Sequence, residues 1–200
     1  TGMLPPKLAR LMVNLATREG GKLTSLLDPF CGGGTVLMEA GLMFPEAKLF
    51  GSDIDSKQIS GSKQNFEWLN AEGLVSMSSE PAWMISPAQK LPTNETFDAI
   101  VTEGYLGEPL RGHEPREFLL KNKENVEKVW KESLPTLARL LNSGGRLVCV
   151  WPEFVVGEEM VATDASAAAE KVGLKIVRAD LKYGRADQRV LRRIVILQKD

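Results

Sequence analysis

Leu26-Leu27-Asp28-Pro29-Phe30-Cys31-Gly32-Gly33-Gly34-Thr35 carries the strongest fold signal in this chain. An apolar strand with Leu23, Leu26 and Leu27 ends at Asp28, three glycines turn the backbone, and Thr35 opens a helical run from Val36 to Leu42. Glycine lets a backbone approach a ligand closely and adopt positive φ. The helix start beyond presents N–H groups without intrahelical partners. Such a unit makes a nucleotide-type cradle at the carboxyl edge of a sheet.

The residues around the glycines narrow the ligand. A dinucleotide fingerprint would place a third glycine where Leu37 stands, and no Lys follows the glycines as a phosphate-binding P-loop requires. Asp28 would repel phosphate and suits a cation. S-adenosylmethionine fits, with a cationic sulfonium, a cationic amine and no phosphate. An ordinary glycine-rich strand–helix turn would use the same residues, so the cofactor stands here as an expectation. A second acid supports it. Asp53 ends the apolar run AKLFGSDID and lies 21 positions after Gly32, the spacing at which a strand-end carboxylate reaches ribose hydroxyls. Asp55 is expected to cap the helix that begins near Ser56.

With 200 residues and 43% hydrophobic content, the chain can form one domain with a layered core. A net charge of -1 gives no global basic field, so nucleic acid would have to be held by a local patch or another domain. Cys31 and Cys149 are not in metal spacing and read as free thiols of a cytoplasmic protein; no metal is expected. No apolar run approaches the roughly 20 residues of a membrane span. The chain opens Thr1-Gly2-Met3 without an initiator Met, and a preceding RNA-binding domain is expected.

Outward from the glycine loop, helices are predicted at Pro5–Thr17, stopped by Gly20-Gly21, and at Lys57–Asn70. A third strand spans Trp83-Met84-Ile85 and a fourth spans Asp98–Thr102. Residues Gly107–Lys121 read as a polar lid or substrate loop. A helix from Lys123 to Leu141, ended by Gly144-Gly145, precedes strand RLVCVWP. An Ala-rich helix at Ala162–Val172 and two strands around Gly184 complete the chain. Strand–helix alternation closing on an antiparallel hairpin gives a Rossmann-like, doubly wound α/β sheet. Trp68, Trp83, Trp130 and Trp151 are predicted in the core.

The block DPFCGGGT resembles the DPFCGSGT signature of amino-methyltransferases acting on tRNA guanosine or DNA bases. The runs LLDPFCGGGTVLMEAGL, MLPPKLARLMVNLA and YGRADQRVLRRIVIL are similar to the THUMP-associated tRNA guanosine 2-amino methyltransferases, so the resemblance covers nearly the whole chain. It implies a seven-stranded sheet with the last strand antiparallel, S-adenosylmethionine as cofactor and tRNA as partner. The implied cofactor residues are Asp28, Phe30, Cys31, Gly32, Gly34, Thr35, Asp53, Ile54, Ser86 and Ala88. An Asp-Ala pair common in that family is replaced here by Pro87-Ala88, leaving Ser86 or backbone groups for the adenine.

An exocyclic amino group is a poor nucleophile because its lone pair is delocalised into the base. Amino-methyltransferases answer with Asp/Asn-Pro-Pro-Tyr/Phe after strand four, whose acid and carbonyl accept the N–H hydrogens while the ring stacks on the base. The corresponding stretch here is Glu103-Gly104-Tyr105, one residue shorter and without the proline pair. A flexible loop is therefore expected, stiffened by Pro at position 104. Arg111 in the polar loop is placed to meet a phosphate, and Lys182, Arg185, Arg189, Arg192 and Arg193 around the hairpin form either a solvated face or a tRNA backbone contact. His113 reads as a surface histidine. Beside the tRNA enzyme, a DNA adenine or cytosine amino-methyltransferase and a cofactor-binding subunit with weak or lost activity remain open.

Overall fold

Alternation along the central strands sorts side chains into two cores, one on each side of a single sheet. The computed structural model describes residues 3–17, 22–76, 78–185 and 188–200. Its strands are β1 (Ser25–Asp28), β2 (Lys48–Asp53), β3 (Ala82–Ile85), β4 (Phe97–Thr102), β5 (Leu141–Val156), β6 (Glu159–Ala162), β7 (Leu174–Tyr183) and β8 (Val190–Lys199). The helices are α1 (Pro6–Ala16), α2 (Thr35–Met43), α3 (Ser56–Ala71), α4 (Arg116–Leu140) and α5 (Ser166–Lys171). Leu26, Ala99, Val101, Val148, Val150, Ile194 and Ile196 pack with α1, α2 and α3. Their sequence neighbours Leu27, Ile100, Leu147, Cys149, Val195 and Leu197 pack with α4 and α5. Each large aliphatic or aromatic side chain so enclosed contributes about 1.5–3 kcal/mol.

The sheet order is β3-β2-β1-β4-β5-β8-β7, with β6 paired to β5 off that path. Strands β1 to β5 are mutually parallel, while β8 runs antiparallel to both β5 and β7. The chain reverses its direction of travel across the sheet between β1 and β4. Helices leave in opposite senses there, opening the crevice in which such sheets bind ligands.

The sheet has eight strands rather than the expected seven. The addition is β6, which folds back on the end of β5 over Glu153–Val156 and displaces the start of α5 from Ala162 to Ser166. The helix expected from Lys123 begins at Arg116, because Pro115 fixes an extended entry and Leu119, Asn122 and Val126 already point inward. Its charged first turn imitated a loop. Gly144-Gly145 does not end that helix; it lies inside β5, where the pairing shifts between Phe97–Leu141 and Ala99–Arg146. Trp68 is exposed and Trp83 half-buried, while Trp130 and Trp151 are core residues. The stop at Gly20-Gly21 lies outside the described residues.

Candidate functional site

The turn after β1 is held by backbone and by α3. Cys31 N–H donates to the Ser52 carbonyl at 2.9 Å, and Gly34 N–H to the Cys31 carbonyl at 2.8 Å. Gly34 caps α2 with φ 83°, a conformation that favours glycine. From α3, Ser62 Oγ donates to the Gly32 carbonyl, and Asn65 Nδ2 donates to the Gly33 carbonyl at 2.9 Å. Ser62 and Asn65 lie one helical turn apart and so reach the same loop. Cys31 is buried beside Ser62, and that burial pushes its thiol well up. A structural thiol results, consistent with its place in the core.

Two strand-end acids flank the turn. Asp53 Oδ2 accepts the Gly32 N–H at 3.0 Å, and its Oδ1 accepts the Asp55 N–H at 2.9 Å. Asp55 caps α3 through the Lys57 N–H at 2.9 Å, as its position predicts. Asp28 is 2% exposed and accepts the Phe30 N–H at 3.2 Å. Burial pushes its carboxyl up to about 7, and the neighbouring carboxylates of Asp53 and Glu103 push the same way.

A cavity of about 640 Å³ is lined by Asp28, Phe30, Cys31, Gly32, Thr35 and Asp53 from the ends of β1 and β2 and the glycine turn, together with Glu103, Gly104 and Tyr105 from the loop after β4. That size is within the range of small-ligand and cofactor sites. Gly34 stands at its edge as the α2 cap, and Ile54 is exposed beside Asp53. Ser86 and Ala88 are buried outside the cavity lining. The Ser86 hydroxyl donates to the Lys90 carbonyl at 2.9 Å, closing the short turn Ala88–Lys90.

The loop after β4 is fastened at several points that no proline supplies. Arg192 Nε donates to Glu103 Oε1 at 2.6 Å. Gly104 has φ 73°, and a Cβ there would lie 2.6 Å from a ring carbon of Trp130. The Trp130 ring also meets Phe30 of the first turn, with centroids 6.0 Å apart. Asn122 brackets Glu108, accepting its N–H at 2.8 Å and donating to its carbonyl at 3.1 Å. The expectation that Pro at position 104 would stiffen this loop is therefore overturned: Pro requires φ near −65°, and the Trp130 ring fills the space.

Arg111, Arg185 and Arg189 are exposed, as is His113. Lys182 differs, since its Nζ pairs with the buried Glu153 at 2.8 Å. Ser62, Asn65 and Asn122 were not singled out from sequence, and Trp130 was read only as a core residue. Arg192 and Arg193 were grouped with the hairpin cations as a solvated face or a tRNA contact; instead Arg192 is buried against Glu103 and Arg193 is half-buried. Arg192 did carry a signal: it shares the period-two stripe of Ile194 and Ile196, which faces the core rather than water.

A parallel sheet reversing between β1 and β4, a glycine turn between two strand-end acids, and an acid-glycine-tyrosine segment across the cavity define a class I methyltransferase domain. The chain belongs to the UPF0020 family, described as the RMKL-like methyltransferase domain, whose profile matches residues 1–183. It is similar to the tRNA (guanine(10)-N2)-dimethyltransferase of Pyrococcus abyssi, with 32% identity over 94% of this chain and 46% of that protein. The protein of that name from Methanothermobacter thermautotrophicus is 29% identical over 94% of this chain and 50% of its own length. The chain thus spans about half the length of these curated relatives. In fold it resembles TrmN from Thermus thermophilus, with a TM-score of 0.69 and 22% identity, covering all of this chain and 50% of that one.

Among the described residues, no helix is long and apolar enough to cross a membrane. No group of three or more His, Cys, Asp and Glu residues among them could hold a metal ion.

Proposed function

We propose that this domain transfers a methyl group from S-adenosylmethionine to the exocyclic 2-amino group of a guanosine in tRNA, in the cytoplasm. The observation that carries the reading is Glu103-Gly104-Tyr105 facing Asp28 and Asp53 across one cavity. The names of the curated relatives support the guanosine amine as acceptor.

The residues present fit the cofactor. Asp28, Asp53 and Glu103 make the cavity acidic, which suits a ligand with a sulfonium and an amine and disfavours a phosphate. Asp53 would hold the ribose, and the backbone from Phe30 to Thr35 would enclose the methionine part. Ile54, Ser86 and Ala88 would flank the adenine, with backbone groups recognising it because the Ser86 hydroxyl serves its own turn. When bound, the cofactor supplies an electrophilic methyl group.

The chain supplies alignment. Glu103 and the Gly104 carbonyl accept the two N–H hydrogens of the target amine, orienting its lone pair. Tyr105 stacks on the base, which must leave its helix to enter; such a stack contributes about 1–3 kcal/mol. Arg111, Arg185 and Arg189 would meet phosphates near the cavity mouth, with Lys182 second to them because Glu153 already neutralises it. A separate RNA-binding domain would supply most of the affinity, since this chain has a net charge of -1.

Titration calorimetry with S-adenosylmethionine, followed by transfer of labelled methyl to undermodified tRNA and to duplex DNA, tests the reading. Cofactor binding with transfer to tRNA alone is expected. Transfer to duplex DNA instead would replace the substrate assignment, and binding without any transfer would leave a cofactor-binding subunit.

A further inference from the structure

We infer that Arg192 is a positioning residue for the transfer, fixing the Glu103 carboxylate as an ionised acceptor with one oxygen held and the other presented to the amine. The inference rests on reading the site as an amine methyltransferase. Arg192 stands on β8 opposite Pro152 of β5 and Tyr183 of β7, and is only 6% exposed. Its Nε contacts Glu103 Oε1 at 2.6 Å, and the Glu103 side chain is 18% exposed. Oε2 of Glu103 takes no hydrogen bond from the described residues, so it is available to a donor in the cavity.

Enclosing a guanidinium is unfavourable unless a partner compensates, and removing one partner strands the other charge. The neighbouring Arg193 is compensated on the opposite side of the sheet, with its Nε 3.6 Å from the Glu153 carboxylate, its guanidinium 5.6 Å from the Trp151 ring centroid and a hydrogen bond to the Thr163 carbonyl. Only Arg192 of the pair is directed at the transfer site.

The surroundings of Glu103 explain the need. Asp28 from β1 and Asp53 from β2 line the same cavity, and Tyr105 and Glu108 come from its own loop. No Lys or Arg is among the described residues lining that cavity. Burial raises the Glu103 carboxyl above its ordinary range, and Arg192 opposes that rise. A protonated Glu103 would offer a hydrogen where the amine also offers one, so the alignment would fail. Arg192 thus supplies both charge and direction, and the bidentate geometry of a guanidinium is not needed for the first of these.

The test uses the chain with Arg192→Gln, Arg192→Lys, Glu103→Gln and the doubly neutral Glu103→Gln/Arg192→Gln. Single-turnover transfer is followed against pH, with cofactor affinity and thermal melting measured alongside. Arg192→Gln should move the acid limb of the rate upward by about 1–3 pH units while leaving cofactor affinity near that of the starting protein. Arg192→Lys should keep the acid limb in place at a reduced rate. In the Glu103→Gln background, Arg192→Gln should add little further loss, because its effect passes through Glu103. A carboxyl carbon NMR titration of Glu103 should show the same upward movement in Arg192→Gln without any substrate. An unmoved titration, or an undiminished loss in the Glu103→Gln background, overturns the role of Arg192. If Arg192→Gln does not fold, the Lys variant and the doubly neutral variant, which strands no charge, carry the test. Absence of transfer by the starting protein, with the NMR shift intact, counts against the methyltransferase reading and not against the pairing.

Discussion

Burial raises the Asp28 carboxyl to about 7, so it titrates around neutrality, and this single carboxyl links ligand choice, stability and pH. Below about pH 4 the folded and unfolded chains both keep the proton, so the group carries no penalty. As pH rises toward about 7 the unfolded chain releases it first, and folded stability falls by about 4 kcal/mol at most, from a carboxyl raised from 3.8 to about 7. Asp28→Asn should therefore raise the melting temperature at pH 8 and leave it nearly unchanged at pH 4. The same substitution should weaken S-adenosylmethionine binding, since the cation loses its counter-charge. Equal melting shifts at both pH values would remove Asp28 from this account. Asp53→Ala should weaken cofactor binding by about 1.5–3 kcal/mol through lost charged hydrogen bonds; calorimetric affinity equal to the starting protein would exclude Asp53 as the ribose residue. Both acids were legible in the sequence because strand ends beside a glycine turn have few structural uses for a carboxylate. The pairing of Glu103 with Arg192 was not, because the two lie 89 positions apart, in the loop after β4 and on β8, and only the fold brings them together.

At the scale of elements, α4 organises the transfer loop through Trp130 and Asn122. Its start was misread because helix amphipathicity is carried there by Leu119 and Asn122, with Arg116, Glu117 and Lys121 supplying a loop-like polarity. The same misreading made the segment after β4 seem unsupported. Gly104 packed on Trp130 and Glu108 bracketed by Asn122 take the place of a proline pair, a tertiary solution with no local sequence signature. Gly104→Pro should consequently lower both melting temperature and transfer rate, the reverse of a stiffening substitution. Asn122→Ala should destabilise the loop by about 1–3 kcal/mol, since two part-buried hydrogen bonds to the Glu108 backbone are lost. Hydrogen exchange at Glu108 N–H reads this directly, and unchanged protection would show that the bracket is dispensable. The β6 hairpin escaped notice for a related reason: Glu159, Met160, Val161 and Ala162 form a strand too short to alternate clearly, and its pairing with β5 depends on the turn at Gly157.

At the scale of the whole molecule, the proposed function separates holding RNA from acting on it. The central sheet was legible because alternating apolar residues recur with helical segments between them. The order of the strands was not read from the sequence, since no strand alone encodes its neighbours; it comes from the fold. The charge balance points outward in the same way: the basic residues that face water do not outweigh the acids. Isolated tRNA binding should therefore be weak and fall steeply between low and physiological salt, whereas tight, salt-insensitive binding in a filter or mobility assay would contradict dependence on a separate RNA-binding domain. Whether Glu103 aligns a guanosine amine for methylation at this cavity is read by incubating the chain with labelled S-adenosylmethionine and undermodified tRNA and locating the label by nucleoside analysis. Label is expected on the guanosine 2-amino group and is expected to be lost in Glu103→Ala, while that variant still binds cofactor. Label on another atom, or undiminished transfer by Glu103→Ala, would contradict it.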